Sequence, residues 1–282
     1  MKEKTTKPTA EIKKVEAKKL PKKSIETKHR ELKNPPKVPS AILNAFEIKD
    51  AHEVLRVKSD FVKNRKLTNS SRKWVSRHIN DPFTQKSKAF GYRARSAFKL
   101  LEIQEKFDII TENSSVLDLG CAPGSWSEIL IKFTKKKVIG IDLLATEHLE
   151  GAVFLQGDFL DKTIQQQALD LNNGKKFDAI VSDISPNTTG MKTVDHLRIM
   201  YVLEIEMEFV LANLTINGSF VSKVFQGEGL DEHLVQLREF FKTVHIFKPK
   251  ASRKESKEVY LVCLEFRPNF KNLKPAEAFS DA

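Results

Sequence analysis

Four short apolar runs in the middle of the chain each end in residues suited to holding a ligand. They are Ser115-Val-Leu-Asp-Leu-Gly120, Lys137-Val-Ile-Gly-Ile-Asp142, Val153-Phe-Leu-Gln-Gly-Asp158 and Phe177-Asp-Ala-Ile-Val-Ser-Asp183. Continuous apolar runs of this length suit strands buried on both faces, as in a parallel sheet. Helical spacing separates them. Residues 125–133 and 191–214 predict amphipathic helices, as does 96–107, where Phe98, Leu100, Leu101 and Phe107 form an apolar face. After Asn217-Gly218 comes a fifth strand over 219–225, then a helix at 231–241 and two strands, 244–247 and 258–266, joined by a basic loop. The pattern predicts an α/β fold with a mostly parallel sheet, ended by an antiparallel strand, with ligands along the carboxyl edge. Upstream, Ser70 caps a helix carrying Trp74, Val75 and Ile79, which stops at Pro82.

The turn Gly120-Cys-Ala-Pro-Gly124 joins the first strand to a helix whose free N–H groups suit an anionic group. It is neither Gly-x-Gly-x-x-Gly nor a P-loop. Taken alone, it leaves a plain strand-to-helix turn as the lesser alternative. Asp142, 24 residues beyond Asp118, stands where a ribose diol would be held by two accepted hydrogen bonds. One acid at a strand end is commonly an N-cap, but a glycine turn and three acids in series favour a site. Lys223 lies inside an apolar strand, where a lysine is expensive unless paired or used. Lys99, just outside the apolar face of its helix, has the pattern of a surface charge.

Charge divides the chain. Residues 1–100 carry 27 Lys and Arg against 10 Asp and Glu, whereas residues 101–282 carry 21 against 27. A strongly basic N-terminal third on a mildly acidic body suits a polyanion such as RNA. Lys86, Lys88, Arg93, Arg95 and the bases around Arg253 are the expected phosphate contacts, with added salt-sensitive affinity from the N-terminal lysines. Residues 1–69 are expected to be a basic, largely disordered extension, 70–266 the folded domain and 267–282 a tail. Cys121 and Cys263 lack metal-ligand spacing, so neither a disulfide framework nor a metal is expected, and a cytoplasmic protein is. No apolar run is long enough to span a bilayer, so no membrane association is expected.

In this order, several blocks resemble the FtsJ/RrmJ family of S-adenosylmethionine-dependent RNA ribose 2′-O-methyltransferases. The blocks are Asn80-Asp-Pro-Phe, Gly91-Tyr-Arg-Ala-Arg-Ser-Ala-Phe-Lys, Leu117-Asp-Leu-Gly-Cys-Ala-Pro-Gly-Ser-Trp, Leu155-Gln-Gly-Asp-Phe, Ser182-Asp-Ile-Ser-Pro, Lys223-Val-Phe-Gln-Gly-Glu-Gly, Lys248-Pro-Lys-Ala-Ser-Arg and Ser256-Lys-Glu-Val-Tyr. The resemblance covers roughly residues 70–266 and is narrowest to bacterial members acting on a uridine of 23S ribosomal RNA in the large subunit. It implies a Rossmann-like, class I methyltransferase sheet of seven strands with helices on both faces, and a monomer. It places a catalytic set on Lys99, Asp183, Lys223 and Glu258. S-adenosylmethionine contacts fall on Gly124, Trp126, Asp142, Asp158 and Asp183. Two departures stand out: Gly124-Ser125-Trp126 replaces Gly-Gly-Trp, and Asp183-Ile-Ser-Pro186 replaces Asp-Met/Leu-Ala-Pro.

For such a transfer, Lys223 is either a general base, its pKa lowered by Lys99, or a cation that Asp183 and Glu258 hold charged to steer the hydroxyl. The motifs are shared with relatives acting on tRNA, mitochondrial ribosomal RNA and mRNA caps. A non-catalytic ribosome-assembly factor is a different class, which the intact four-residue set disfavours. A nicotinamide oxidoreductase is disfavoured by the missing glycine fingerprint.

Overall fold

A computed structural model of the 282-residue chain describes residues 80–186, 189–227 and 229–268, together with 29–31, 58–60, 68, 75 and 76. The expectations for the N-terminal extension and the C-terminal tail therefore fall almost wholly outside the described residues. What is described there is one antiparallel pair, β1 (His29–Glu31) and β2 (Lys58–Asp60). Of the helix expected from Ser70 to Pro82, Val75, Ser76, Asn80 and Asp81 are described; the first two are helical, Asn80 lies in a turn and Asp81 caps the next helix.

The main sheet comprises β3 (Val116–Leu119), β4 (Val138–Asp142), β5 (Ala152–Gln156), β6 (Phe177–Ser182), β7 (Leu214–Phe225), β8 (Phe241–Phe247) and β9 (Glu258–Phe266), in the order β5-β4-β3-β6-β7-β9-β8. The pairings from β5 through β7 are parallel; β9 runs antiparallel to both β7 and β8. The last strand in sequence is thus the antiparallel one, inserted second from the edge with β8 outside it. From β3 the chain winds outward through β4 and β5, then returns to β6 on the other side. The switch point lies between β3 and β6, and a ligand crevice opens there at the carboxyl ends.

Helices cover both faces because successive residues of a strand point to opposite sides. Leu117, Ile139, Ile180 and Phe220 pack with α4 (Lys162–Leu171), α5 (Lys192–Asn213) and α6 (Leu230–Phe240). Val116, Val138, Val181 and Val262 face α2 (Ala97–Phe107) and α3 (Ser127–Phe133) through Phe98, Leu100, Ile129 and Leu130. Each such side chain, fully buried, contributes about 1.5–3 kcal/mol.

Two local expectations change. Pro82, expected to stop a helix, opens one. In α1 (Pro82–Ala89) the Asp81 carboxylate accepts the Phe83 and Thr84 N–H groups at 3.0 and 3.1 Å, and proline at the first helical position forfeits no intrahelical bond. Strand β7 also starts earlier than expected, at Leu214. It accommodates Asn217 at φ 63°, and the β6–β7 register shifts between Phe177 and Ala179.

Candidate active site

The crevice is closed at its base by a contact only glycine allows. A Cβ on Gly120, which has φ +71°, would lie 2.8 Å from the Ile184 backbone, so the ends of β3 and β6 meet there. Gly124 has φ +100°, and a Cβ on it would lie 2.7 Å from the Arg93 guanidinium. Both glycines therefore answer to the protein's own packing.

Arg93 explains why. Its guanidinium donates to the carbonyls of Pro123, Glu147 and His148 at 3.0, 2.8 and 2.8 Å, tying the glycine turn to the loop after β4. Ser125 and Trp126 are tied in the same way. The Ser125 hydroxyl lies 2.7 Å from that of Ser96, and the Trp126 indole N–H donates to the Ser96 carbonyl at 3.0 Å. The Trp126 side chain is buried against Tyr260, so any part it has in holding a cofactor falls to its main chain. The added hydroxyl at 125 fastens the turn to the start of α2.

A cleft of about 230 Å³ runs from Gly120 past Asp142 and Asp158 to Pro186, walled by Ile141, Phe159 and Ile184 among others. The Asp142 carboxylate accepts the Ala122 and Leu144 N–H groups at 2.9 and 2.8 Å, which fixes both its oxygens at the cleft wall. Asp158 accepts the Leu160 N–H at 2.9 Å. Beneath them Asp118 is fully buried. One of its oxygens accepts from Ser127 Oγ at 2.6 Å, and the other has no partner among the described residues. Burial pushes its pKa to about 7; the Ser127 bond opposes this, and Asp183 and Asp142 add to it. Apolar walls for a flat base and a fixed carboxylate for a diol fit the S-adenosylmethionine that the resemblance implies.

Beside the cleft, the four residues of the expected catalytic set come together from four elements. Lys223 on β7 donates to the Asp183 carbonyl at 2.7 Å and lies 3.0 Å from Asp183 Oδ1. Lys99 in the first turn of α2 pairs with Glu258 Oε1 at 2.6 Å and lies 4.0 Å from Asp183 Oδ1. It is not the surface charge its pattern suggested. All four side chains are largely buried, with exposures of 5% for Lys223, 12% for Lys99 and 16% for each acid. Two ammonium groups balance two carboxylates. Burial raises the Asp183 pKa, but Lys223, Lys99 and the Tyr260 hydrogen bond outweigh it, leaving the acid below its ordinary value.

Tyr260 sits at the centre of this set, and the sequence reading did not assign it. Its hydroxyl donates to Asp183 Oδ1 at 2.7 Å and accepts from Lys99 at 3.1 Å. Burial, then the charges of Asp183 and Glu258, push its pKa well up, so it stays a donor. A signal was available: Tyr260 stands two residues after Glu258 on a strand and so points to the same side.

The basic residues divide. Arg95 pairs with Asp81 and donates to the Ala251 carbonyl, and Glu102 accepts the Lys250 and Ala251 N–H groups at 2.6 and 2.8 Å. These bonds anchor the loop between β8 and β9 on α2. Lys86 is 4% exposed, its ammonium 5.1 Å from the centre of the Phe83 ring, and burial lowers its pKa against the opposing charge of Glu102. Lys86, Arg93 and Arg95 are thus committed internally, contrary to their expected role as free phosphate contacts. Lys88 is exposed. Arg253 lines a second cavity, of about 360 Å³, with Ser96, Lys99, Ser256 and Glu258.

With this geometry in place, the profile of the family described as FtsJ-like methyltransferase matches residues 92–266, more than half of the chain. The chain belongs to that family. Its curated relatives include the "Ribosomal RNA large subunit methyltransferase E" of Francisella tularensis, 44% identical over 200 residues that cover 70% of this chain and 97% of the relative. The protein of the same name from Acinetobacter baumannii is 46% identical over 203 residues, 71% of this chain and 94% of the relative. A solved structure from Plasmodium falciparum, described as "a ribosomal RNA methyltransferase, putative", superposes with a TM-score of 0.57 at 29% identity, covering 63% of this chain and all of that one. The FtsJ-like match ends at Phe266, the last residue of β9.

Among the described residues no helix is long and apolar enough to cross a membrane, and no group of three or more His, Cys, Asp or Glu could hold a metal ion.

Proposed function

We propose that this FtsJ-like protein transfers the methyl group of S-adenosylmethionine to the ribose 2′-hydroxyl of a uridine in 23S ribosomal RNA, acting on the assembled large subunit as a cytoplasmic monomer. The observation that carries the reading is the Lys99, Asp183, Lys223 and Glu258 cluster, two ion pairs of 2.6 and 3.0 Å that Tyr260 links, beside a cleft fitted to that cofactor. The names of the two bacterial relatives support ribosomal RNA as the target.

Bound S-adenosylmethionine supplies a methyl already activated on a sulfonium sulfur. Asp142 would hold its ribose, Asp158 its adenine, the main chain at Gly124 and Trp126 its carboxylate end, and Asp183 would lie near the methyl. The protein's remaining task is to present the 2′-oxygen in line with that methyl. Lys223 does this as an ammonium. Both of its partners are oxygens of Asp183, a carbonyl at 2.7 Å and a carboxylate at 3.0 Å, which together fix where the nitrogen points. The cofactor would leave as a neutral thioether that retains the S–C electron pair, and the newly methylated 2′-oxygen would carry a strongly acidic proton. That proton can then leave to water, which suits a site whose carboxylate at 183 is a weak base. Lys99 and Tyr260 keep Asp183 aimed, and Glu258 balances Lys99.

RNA would approach over the cavity lined by Arg253 and Ser256, with exposed lysines such as Lys88 meeting phosphates. The test is transfer of labelled methyl to large subunits from a strain lacking its own such enzyme, to naked ribosomal RNA and to bulk tRNA, with wild type and Lys223→Ala. Ribose label on the subunit that the variant loses supports the reading. Label on tRNA alone would move the target, and cofactor binding with no label anywhere would point to an assembly factor.

A further inference from the structure

Ser182 and Ser222 are register partners on β6 and β7, and each stands directly before a residue of the charged cluster, Asp183 and Lys223. Between them, reaching in from α5, lies Glu206, 1% exposed. Its Oε1 accepts from Ser182 Oγ and its Oε2 from Ser222 Oγ, both at 2.5 Å. Ser182 Oγ in turn accepts the Ile184 N–H at 3.3 Å. A chain of bonds therefore runs from the middle of a helix to the turn that ends β6, where the Asp183 carbonyl meets Lys223 at 2.7 Å.

Packing alone does not call for an acid there. Glu206 belongs to the stripe Ile199, Leu203 and Val210, each 1% exposed, and a leucine would fill such a position without the penalty of burying a carboxyl. Among the described residues, moreover, its side-chain hydrogen bonds go to Ser182 and Ser222, the residues directly before Asp183 and Lys223.

We propose that Glu206 is a positioning residue for methyl transfer, its carboxylate clamping Ser182 and Ser222 so that Asp183 and Lys223 stay in register at the reacting hydroxyl. The inference rests on the assignment of Asp183 and Lys223 to the transfer. A carboxylate accepts both serine hydroxyls, whereas the protonated acid has a hydroxyl of its own and loses one acceptor position. Burial pushes the Glu206 pKa to about 7 against the bonds from Ser182 on β6 and Ser222 on β7 and the charge of Lys223 on β7. The clamp therefore forms as pH rises through neutrality, and transfer rises with it.

The experiment is the pH profile of single-turnover methyl transfer at saturating S-adenosylmethionine, with the full-length chain and an RNA substrate that wild type methylates. Wild type, Glu206→Gln, Ser222→Ala and Lys223→Ala are compared. Wild type should show an ascending limb near pH 7. Glu206→Gln should transfer about tenfold more slowly on the alkaline side, the equivalent of one well-placed hydrogen bond, with that limb removed and cofactor affinity unchanged. Ser222→Ala should move the limb to higher pH, because it deletes a bond favouring the carboxylate. A residue that merely supported the fold would lower the rate at every pH and move no limb. The proposal is overturned if Glu206→Gln keeps the wild-type limb, or if the Ser222→Ala limb stays in place. Should Glu206→Gln fold poorly, the Ser222→Ala profile decides alone. Wild-type transfer by Lys223→Ala would instead remove the underlying site assignment. A dead Lys223→Ala beside an unaltered Glu206→Gln would remove the clamp only.

Discussion

Lys223 and Tyr260 face each other across the β7–β9 ladder, and both reach the same oxygen of Asp183, the ammonium at 3.0 Å and the phenol at 2.7 Å. A parallel strand thus delivers the cation and its antiparallel neighbour delivers the donor that keeps the carboxylate aimed. Neither strand alone could hold Asp183 from two sides.

Lys223→Ala is therefore expected to reduce methyl transfer by about 10²–10⁴-fold while leaving S-adenosylmethionine affinity within about twofold. Calorimetric titration with the cofactor, run beside the transfer assay, checks both halves. A parallel loss of binding would mean that Lys223 serves the cofactor and not the hydroxyl.

Tyr260→Phe separates aim from charge. The ring still packs on Trp126, so stability should change by no more than about 1.5 kcal/mol, the range of a single net hydrogen bond. Asp183 loses a donor and Lys99 an acceptor, and transfer should fall about tenfold. Rates in a cycle with Asp183→Asn should be non-additive, because both changes break the same contact. Strict additivity would place Tyr260 outside the set.

The sequence made the sheet legible because buried parallel strands carry uninterrupted apolar runs, and β3, β4 and β6 do so within a residue or two of the expected ends. Within the charged set, Asp183 was legible as an acid ending an apolar strand and Lys223 as a lysine inside one, but Lys99 and Glu258 only through resemblance: Lys99, on its helix pattern, looks like any surface lysine until Glu258 arrives from a strand more than 150 residues later. Other features depend on tertiary contacts that no local pattern encodes. Arg93 and Arg95 carry the charge of phosphate ligands, but their partners are carbonyls and two acids, Glu128 and Asp81, brought in by other elements. Glu206 did leave a trace, as an acid within an apolar helical stripe, and Tyr260 did so through its spacing from Glu258.

Arg95 and Lys88 should consequently part company. Arg95→Gln breaks the tie of α2 to Asp81 and to the Ala251 carbonyl, both partly buried, and should lower stability by about 1–3 kcal/mol. Lys88→Gln should leave the melting temperature unchanged and reduce the salt dependence of RNA binding by roughly one charge. Thermal melts and binding titrations at several salt concentrations distinguish them. An Arg95→Gln protein that melts like wild type but binds RNA with a shallower salt slope would restore the expectation drawn from charge alone.

Asp118 gives the fold a dependence on pH that runs opposite to ordinary acid denaturation. Burial lifts its pKa to about 7, with Asp183 and Asp142 adding to the lift against the Ser127 bond, whereas in the unfolded chain it titrates near 4. Between those values the unfolded state has released the proton and the folded state still holds it, so stability falls as pH rises through the window and levels off above it. Glu206, lifted to about 7 by burial, contributes with the same sign. For Asp118 the whole effect is on the order of 4 kcal/mol at most. Asp118→Asn keeps a side-chain oxygen to accept from Ser127 but cannot ionise, so its melting temperature should decline less than wild type between about pH 5 and 8. The double variant with Glu206→Gln should decline least. If Asp118→Asn tracks wild type across that range, the buried carboxyl is not where the proton is held.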